Sequence, residues 1–136
     1  RVGRLPWSTI GSGKIYDGSG SLVWYALSTN FRKAAGSTII NSDTAGTLTV
    51  TGSSPATQVV ALVIAPGIAL GGQSRSTTAA VANYLEGSNS NISDSDTFTT
   101  ATASDTFNDQ IMTITQADLM AVVEPAVAAR IESSVL

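Results

Sequence analysis

A chain of 136 residues has room for one domain with a sizeable core, and this one carries neither cysteine nor histidine. Those two absences exclude disulfides, thiolate–zinc sites and thiol nucleophiles, and remove the usual general base near neutral pH. Only 12% of the residues are charged, the net charge is −3, and the seven basic residues are scattered, so the clustered Lys and Arg of a nucleic-acid binder are missing.

Serine and threonine, about a quarter of the chain, supply the polar surface instead and suit β-structure. Residues 1–21, with Pro6 and five glycines, read as an irregular lead-in. Asp17 to Ser21 is an acidic turn in which Gly18 and Gly20 supply turn geometry. It runs into a strand over 22–27 that puts Trp24 and Tyr25 on opposite faces, with Trp24 in the core. Ser28 to Ala35 reads as a helical turn, Gly36 to Asn41 as extended chain, and Asn41 to Gly46 as a turn. Strands are predicted over 47–51 and 58–65, joined across Gly52–Pro55 as a hairpin with a loop of about 5 residues. The second holds the longest apolar run, Val59 to Ala65, far below the roughly 20 residues that span a bilayer.

Pro66–Gly67 stops that strand, Gly71–Gly72 marks a loop, and Ser76 or Thr77 is placed to cap a short helix over about 78–86. Gly87 to Asp96 reads as a polar loop, Phe98 and the hydroxyl-rich stretch after it as an edge strand, and 111–114 as a further strand. Thr115 opens a helical segment over 116–136, with Asp118 completing a capping box in place of the usual Glu. Leu119, Val122, Val123, Ala126, Val127, Ile131 and Val135 form its apolar stripe, and Pro125 predicts a kink or two helices meeting there. The expected fold is a single α+β domain over 1–136, with an antiparallel sheet, a short helix and a C-terminal helical segment.

Candidate sites are few. In the loop Glu86–Asp96, Asp94 and Asp96 are spaced like calcium-loop oxygen donors, and Asn89, Asn91 and hydroxyls could add ligands. The full acidic pattern and its closing Glu are missing, so an ordinary solvated loop is the preferred reading and no metal ligand is assigned. Lys14 or Lys33 could serve a Ser or Thr nucleophile, but no G-x-S-x-G elbow or S-x-x-K motif is present. Asp105 and Asp109 could pair for glycoside hydrolysis, yet loop acids more often form turns and caps. Gly11-Ser12-Gly13-Lys14 lacks the spacing of a phosphate loop and reads as a flexible turn. Asn91-Ile92-Ser93 is formally a glycosylation acceptor. No catalytic or cofactor-binding residue is assigned, and enzymatic activity is not expected.

The order of several short stretches resembles a known family. Asp17, Gly20 and Tyr25 match the D-P-W-G-N-P-x-x-Y stretch of major type II secretion pseudopilins, with Gly18, Ser19 and Ser21 replacing the family's Pro, Trp and Asn. Larger prepilin-like proteins are similar over a G-x-L-P-W segment (Gly3–Trp7), a D-G-x-G turn and W-Y-A-x-S strand (Asp17–Ser28), an I-A-P-G…G-Q-x-R stretch (Ile64–Arg75) and an N-Y-L-E-G stretch (Asn83–Gly87). The resemblance covers most of the first two-thirds of the chain. It implies a pilin-like head whose polymerising N-terminal apolar helix has been removed, in keeping with a start at Arg1 rather than Met.

That resemblance further implies a structural subunit, major or minor, of a bacterial type II secretion pseudopilus or type IV pilus-like filament. Its partners would be other pilin or pseudopilin subunits, with no nucleic acid and with membrane contact only through the missing helix. It would reside in the periplasm or at the cell surface, anchored in the inner membrane before assembly. The isolated head is expected to be a monomer. Calcium enters through the family, whose major pseudopilins bind it. The alternative is an extracellular or envelope binding or adhesion module.

Overall fold

The longest apolar run becomes the longest strand, and the sheet is organised around it. In the computed structural model, which describes residues 2–32, 39–75, 80–91, 93 and 96–135, six strands are formed: β1 (Val2–Arg4), β2 (Trp24–Leu27), β3 (Leu48–Gly52), β4 (Ala56–Ala65), β5 (Thr97–Thr100) and β6 (Gln110–Thr115). A C-terminal helix α1 (Gln116–Val135) follows β6 directly. The lead-in expected to be irregular thus contains a strand, β1, which pairs with β2 from Val2↔Ala26 to Arg4↔Trp24.

β4 has partners on both edges. Val59 pairs with Leu48 of β3 and with Thr115 of β6, so these two strands lie on opposite edges. Residues 61–64 pair with both β2 and β6, which places β2 on the same edge as β3. β2 and β3 therefore lie end to end along one side of β4. Their junction is sealed by Ser28, fully buried, whose N–H donates to Val60 O (2.8 Å) and whose Oγ accepts from Thr47 N–H (2.8 Å). Gln58 sits at φ 53°, and the ladders to β3 and β6 both shift register nearby, so β4 bends where it passes between them.

The expected antiparallel pairing holds for β2, β3, β4 and β6, and the sheet is mixed only at its far side. β5 joins β3 in parallel, from Thr49↔Thr97 to Gly52↔Thr100. Gly52 is required there: its φ is +95°, and a Cβ would lie 1.8 Å from Thr100 O. β5 lies at the end of the strand order, as the edge strand expected around Phe98, and its Phe98 side chain is buried in the core.

Inward-facing residues alternate along the strands, as a half-buried sheet demands. Trp24, Ala26, Leu48, Val50, Leu62, Ile64 and Phe98 form the core with Val81, Tyr84 and Leu85. The last three come from the region where a short helix over 78–86 is predicted. What forms there is a single 3₁₀ turn, Val81–Asn83, followed by another at Gly87–Ser90, inside the expected polar loop. Ser76 and Thr77 lie outside the described residues. The 3₁₀ turn Thr29–Phe31 occupies part of the helical turn expected at 28–35, and the extended chain expected over 36–38 is likewise outside. The β3–β4 hairpin turns over Ser53–Pro55, tighter than expected.

α1 starts on a complete reciprocal cap. Thr115 N–H and Oγ donate to Asp118 Oδ2 (2.9 and 2.7 Å), and Asp118 N–H lies 3.2 Å from Thr115 Oγ. These bonds hold the exposed Asp118 carboxyl below its ordinary range. Pro125 lies inside one continuous helix, so the chain does not divide into two there. No residue of α1 is buried, and the stripe residues Val122, Val127, Ile131 and Val135 are exposed. Its anchorage is at the first turns, where the Gln116 amide donates to Ser42 O and Met120 lies beside Ile40 in a shallow groove.

Candidate functional site

The stretches far apart in sequence meet in one polar network at the C-terminal end of β4. Asp17 begins it. Its Oδ1 accepts from the N–H groups of Ser19 (2.9 Å) and Ser21 (2.8 Å), and its Oδ2 accepts from Gly67 N–H (2.8 Å). The Ser19 hydroxyl sits between Asp17 Oδ1 and Gly67 O, 2.7 Å from each. Partial burial pulls the Asp17 pKa upward, but these bonds outweigh it and hold the carboxyl below its ordinary value. The acidic turn is thereby clipped to the loop that ends β4.

Arg75 is the hub. Its guanidinium donates to the carbonyls of Gly67, Ile68, Asn83 and Tyr84, to Ser21 Oγ and to Gln73 Oε1. Its charge centre also lies 5.1 Å from the Tyr84 ring centroid. One side chain thus ties the 17–21 turn, the 66–75 loop and the 81–85 turn together. Gln73 passes the network on, donating to Glu86 Oε1 (2.7 Å), and Glu86 Oε2 accepts from the N–H groups of Asn108 (3.0 Å) and Asp109 (3.2 Å).

Asp109 ends the chain of bonds in the interior. Its Oδ2 accepts from Glu86 N–H (2.9 Å) and from Asn89 Nδ2 (3.0 Å), and its Oδ1 is buried with no partner. Burial drives its pKa up. The bonds from Glu86 N–H and Asn89 oppose this, while the nearby Glu86 carboxylate adds to the rise, and the result is about 7. Asn89, fully buried, exchanges both amide groups with the backbone of Thr99 (2.8 and 3.0 Å), as a neighbouring strand would, and so covers the outer edge of β5.

Several sequence candidates are accounted for by these contacts. In the Glu86–Asp96 loop, Glu86 and Asn89 turn inward, and Asn91 Oδ1 accepts from Ser93 N–H (3.0 Å). Asp96 lends its carbonyl to Thr49 N–H (2.8 Å), and Asp94 lies outside the described residues. Among the described residues no group of three or more acidic side chains is arranged to hold a metal. Asp105 is exposed on a turn while Asp109 is buried, so the pair considered for glycoside hydrolysis is divided between surface and interior. Lys14 stacks on Trp7, 5.5 Å from the ring centroid; Lys33 lies outside the described residues. Sequence reasoning gave Arg75 and Tyr84 no role beyond membership of ordered short stretches, met Glu86 also as the start of the candidate calcium loop, and met Asp109 only as a loop acid weighed with Asp105.

These observations define an α+β domain with a curled, largely antiparallel sheet and one C-terminal helix. No protein-family model matches the chain, and comparison with curated proteins and with solved structures finds no match. Among the described residues no helix is long and apolar enough to cross a membrane.

Proposed function

We propose that this chain is the globular head of a pilin-like structural subunit, from a type II secretion pseudopilus or a type IV pilus-like filament. The observation that supports this most is the convergence on Arg75. The four stretches that carry the resemblance lie within one interlocked assembly: Arg4 over the Tyr84 ring, Asp17 and Ser21 beside Gly67 and Arg75, and Gln73 on Glu86. A shared order of weak motifs gains weight when the motifs have a shared structural task. That task is to fasten the lead-in to the sheet, which a head carried on an N-terminal helix requires. Its partners are other subunits of the filament, it works in the periplasm or at the cell surface, and its role is structural rather than catalytic.

Deleting the full-length gene should impair secretion or filament assembly, and the wild-type gene supplied in trans should restore it. Unchanged secretion and unchanged filaments in the deletion strain would overturn the reading, as would substrate turnover by the purified head that one Lys or carboxylate substitution stops without unfolding it.

A further inference from the structure

Two guanidinium groups stack on the Tyr84 ring, and their circumstances are opposite. Arg75 lies 5.1 Å from the ring centroid and spends itself on six protein acceptors. Arg4 lies 5.0 Å from the same centroid and 5.7 Å from that of Trp24, and among the described residues it has no hydrogen bond and no ion pair. Its Nε–H is buried without an acceptor, and so is the Nε1–H of the almost fully buried Trp24. Burying a donor without a partner costs free energy, and a charged donor costs more than a neutral one. A single domain that satisfies Arg75 so completely leaves both of these donors unpaired, side by side where Arg4 stacks on Trp24.

That place is a cavity of about 710 Å³ lined by Arg4 and Trp24 together with Val2, Ala80, Val81 and Ala82. Among the described residues its walls are mostly aliphatic and its one charge is positive. The aromatic faces hold the guanidinium plane while leaving its terminal nitrogens without a protein acceptor, so the fork is preorganised for a planar anion. We infer that this cavity is a binding site for a carboxylate carried on an apolar body, with Arg4 as the anion receptor and the aliphatic walls taking the body. A phosphate is a poorer match, because its heavily hydrated charge gains nothing from Val2, Val81 and the alanines. The carboxylate is either that of a free aliphatic acid or the C-terminus of an apolar peptide.

The Trp24 indole N–H is the reporter. The chain has two tryptophans, so its indole signals in a ¹⁵N-labelled sample are told apart by a Trp7→Phe variant. Sodium hexanoate should shift the Trp24 signal saturably, and hexanamide, of the same length without charge, should bind at least ten-fold more weakly. The tripeptide acetyl-Ala-Val-Leu with a free carboxylate, compared with its C-terminal amide, forms the second arm. Saturable binding in either arm supports the site, and the tighter of the two carboxylates names the source. Arg4→Met should abolish the shift. Arg4→Lys, which keeps the charge and loses the fork, should weaken it several-fold and serves if the Met variant does not fold. No saturable shift with either carboxylate, equal binding of the amides, or unchanged hexanoate binding by a folded Arg4 variant would overturn the proposal.

Discussion

Asp109 is where the fold disagrees most with the ordinary chemistry of a side chain. Its pKa is raised from 3.8 to about 7, chiefly by burial and further by the Glu86 carboxylate. A carboxyl whose folded pKa lies above its unfolded value binds its proton more tightly in the folded state. Its contribution to stability is therefore complete below about pH 4 and is lost as pH rises through about 7. Asp17 acts in the opposite sense, since its pKa is lowered, and its contribution fails only on the acid side of its ordinary value. Between about pH 5 and pH 8 the Asp109 effect stands alone of the two. The melting temperature should fall across that interval in the wild type, and Asp109→Asn, which mimics the neutral acid, should flatten the fall. Thermal unfolding at a series of pH values decides it, and parallel slopes for the two proteins would refute the assignment. None of this is legible around Asp109 itself. Asp109 reads only as a loop acid, and the partners that bury the carboxyl, Asn89 and Glu86, lie 20 and 23 residues away.

α1 is the element least tied to the rest. It is capped, alanine-rich and regular, yet buries no residue. Pro125 removes one backbone donor from its interior and costs roughly 3 kcal/mol where a helix is otherwise intact. Pro125→Ala should raise the helical circular dichroism signal and slow amide exchange over residues 121–129, while the cooperative unfolding of the sheet stays where it was. A matching rise in the main unfolding transition would mean that helix and sheet unfold together. The helix was readable because its cap, its alanines and its period are local signals. So were β2, β3, β4 and β6, each an apolar or alternating stretch, with β3 ended by Gly52 and β4 stopped by Pro66. β1 was not, because Val2-Gly3-Arg4 has no pattern of its own and becomes a strand only by pairing with β2. The predicted helix over 78–86 failed for a related reason. Val81, Tyr84 and Leu85 suit a helical stripe, but they are claimed by the Trp24 and Phe98 side of the core, which a 3₁₀ turn can fill.

At the scale of the molecule, most strands were legible, but of their pairings only the β3–β4 hairpin was. Nothing in Thr97–Thr100 announces that it runs parallel to β3, since orientation depends on the path of the chain between them. The polar network was legible only as a list of weak motifs, because the bonds that join one stretch to another link residues whose pairing the sequence does not encode. Arg75 and Ser21 are 54 positions apart, and Asp17 and Gly67 are 50. The pairing of β4 has a consequence for how the protein is made. One edge of β4 can be filled by β2 and β3, both synthesised before it, but the other waits for β6. At about 5–20 residues per second, the stretch of chain between Ala65 and Gln110 takes a few seconds to emerge. During that interval the nascent chain carries an open apolar edge along Val59–Ala65, a template for pairing with another copy. A chain ended after Thr100 should keep that edge permanently and self-associate in sedimentation, where the 136-residue chain does not. In the cell, the seconds before β6 arrives are the ones in which a holdase would find this chain.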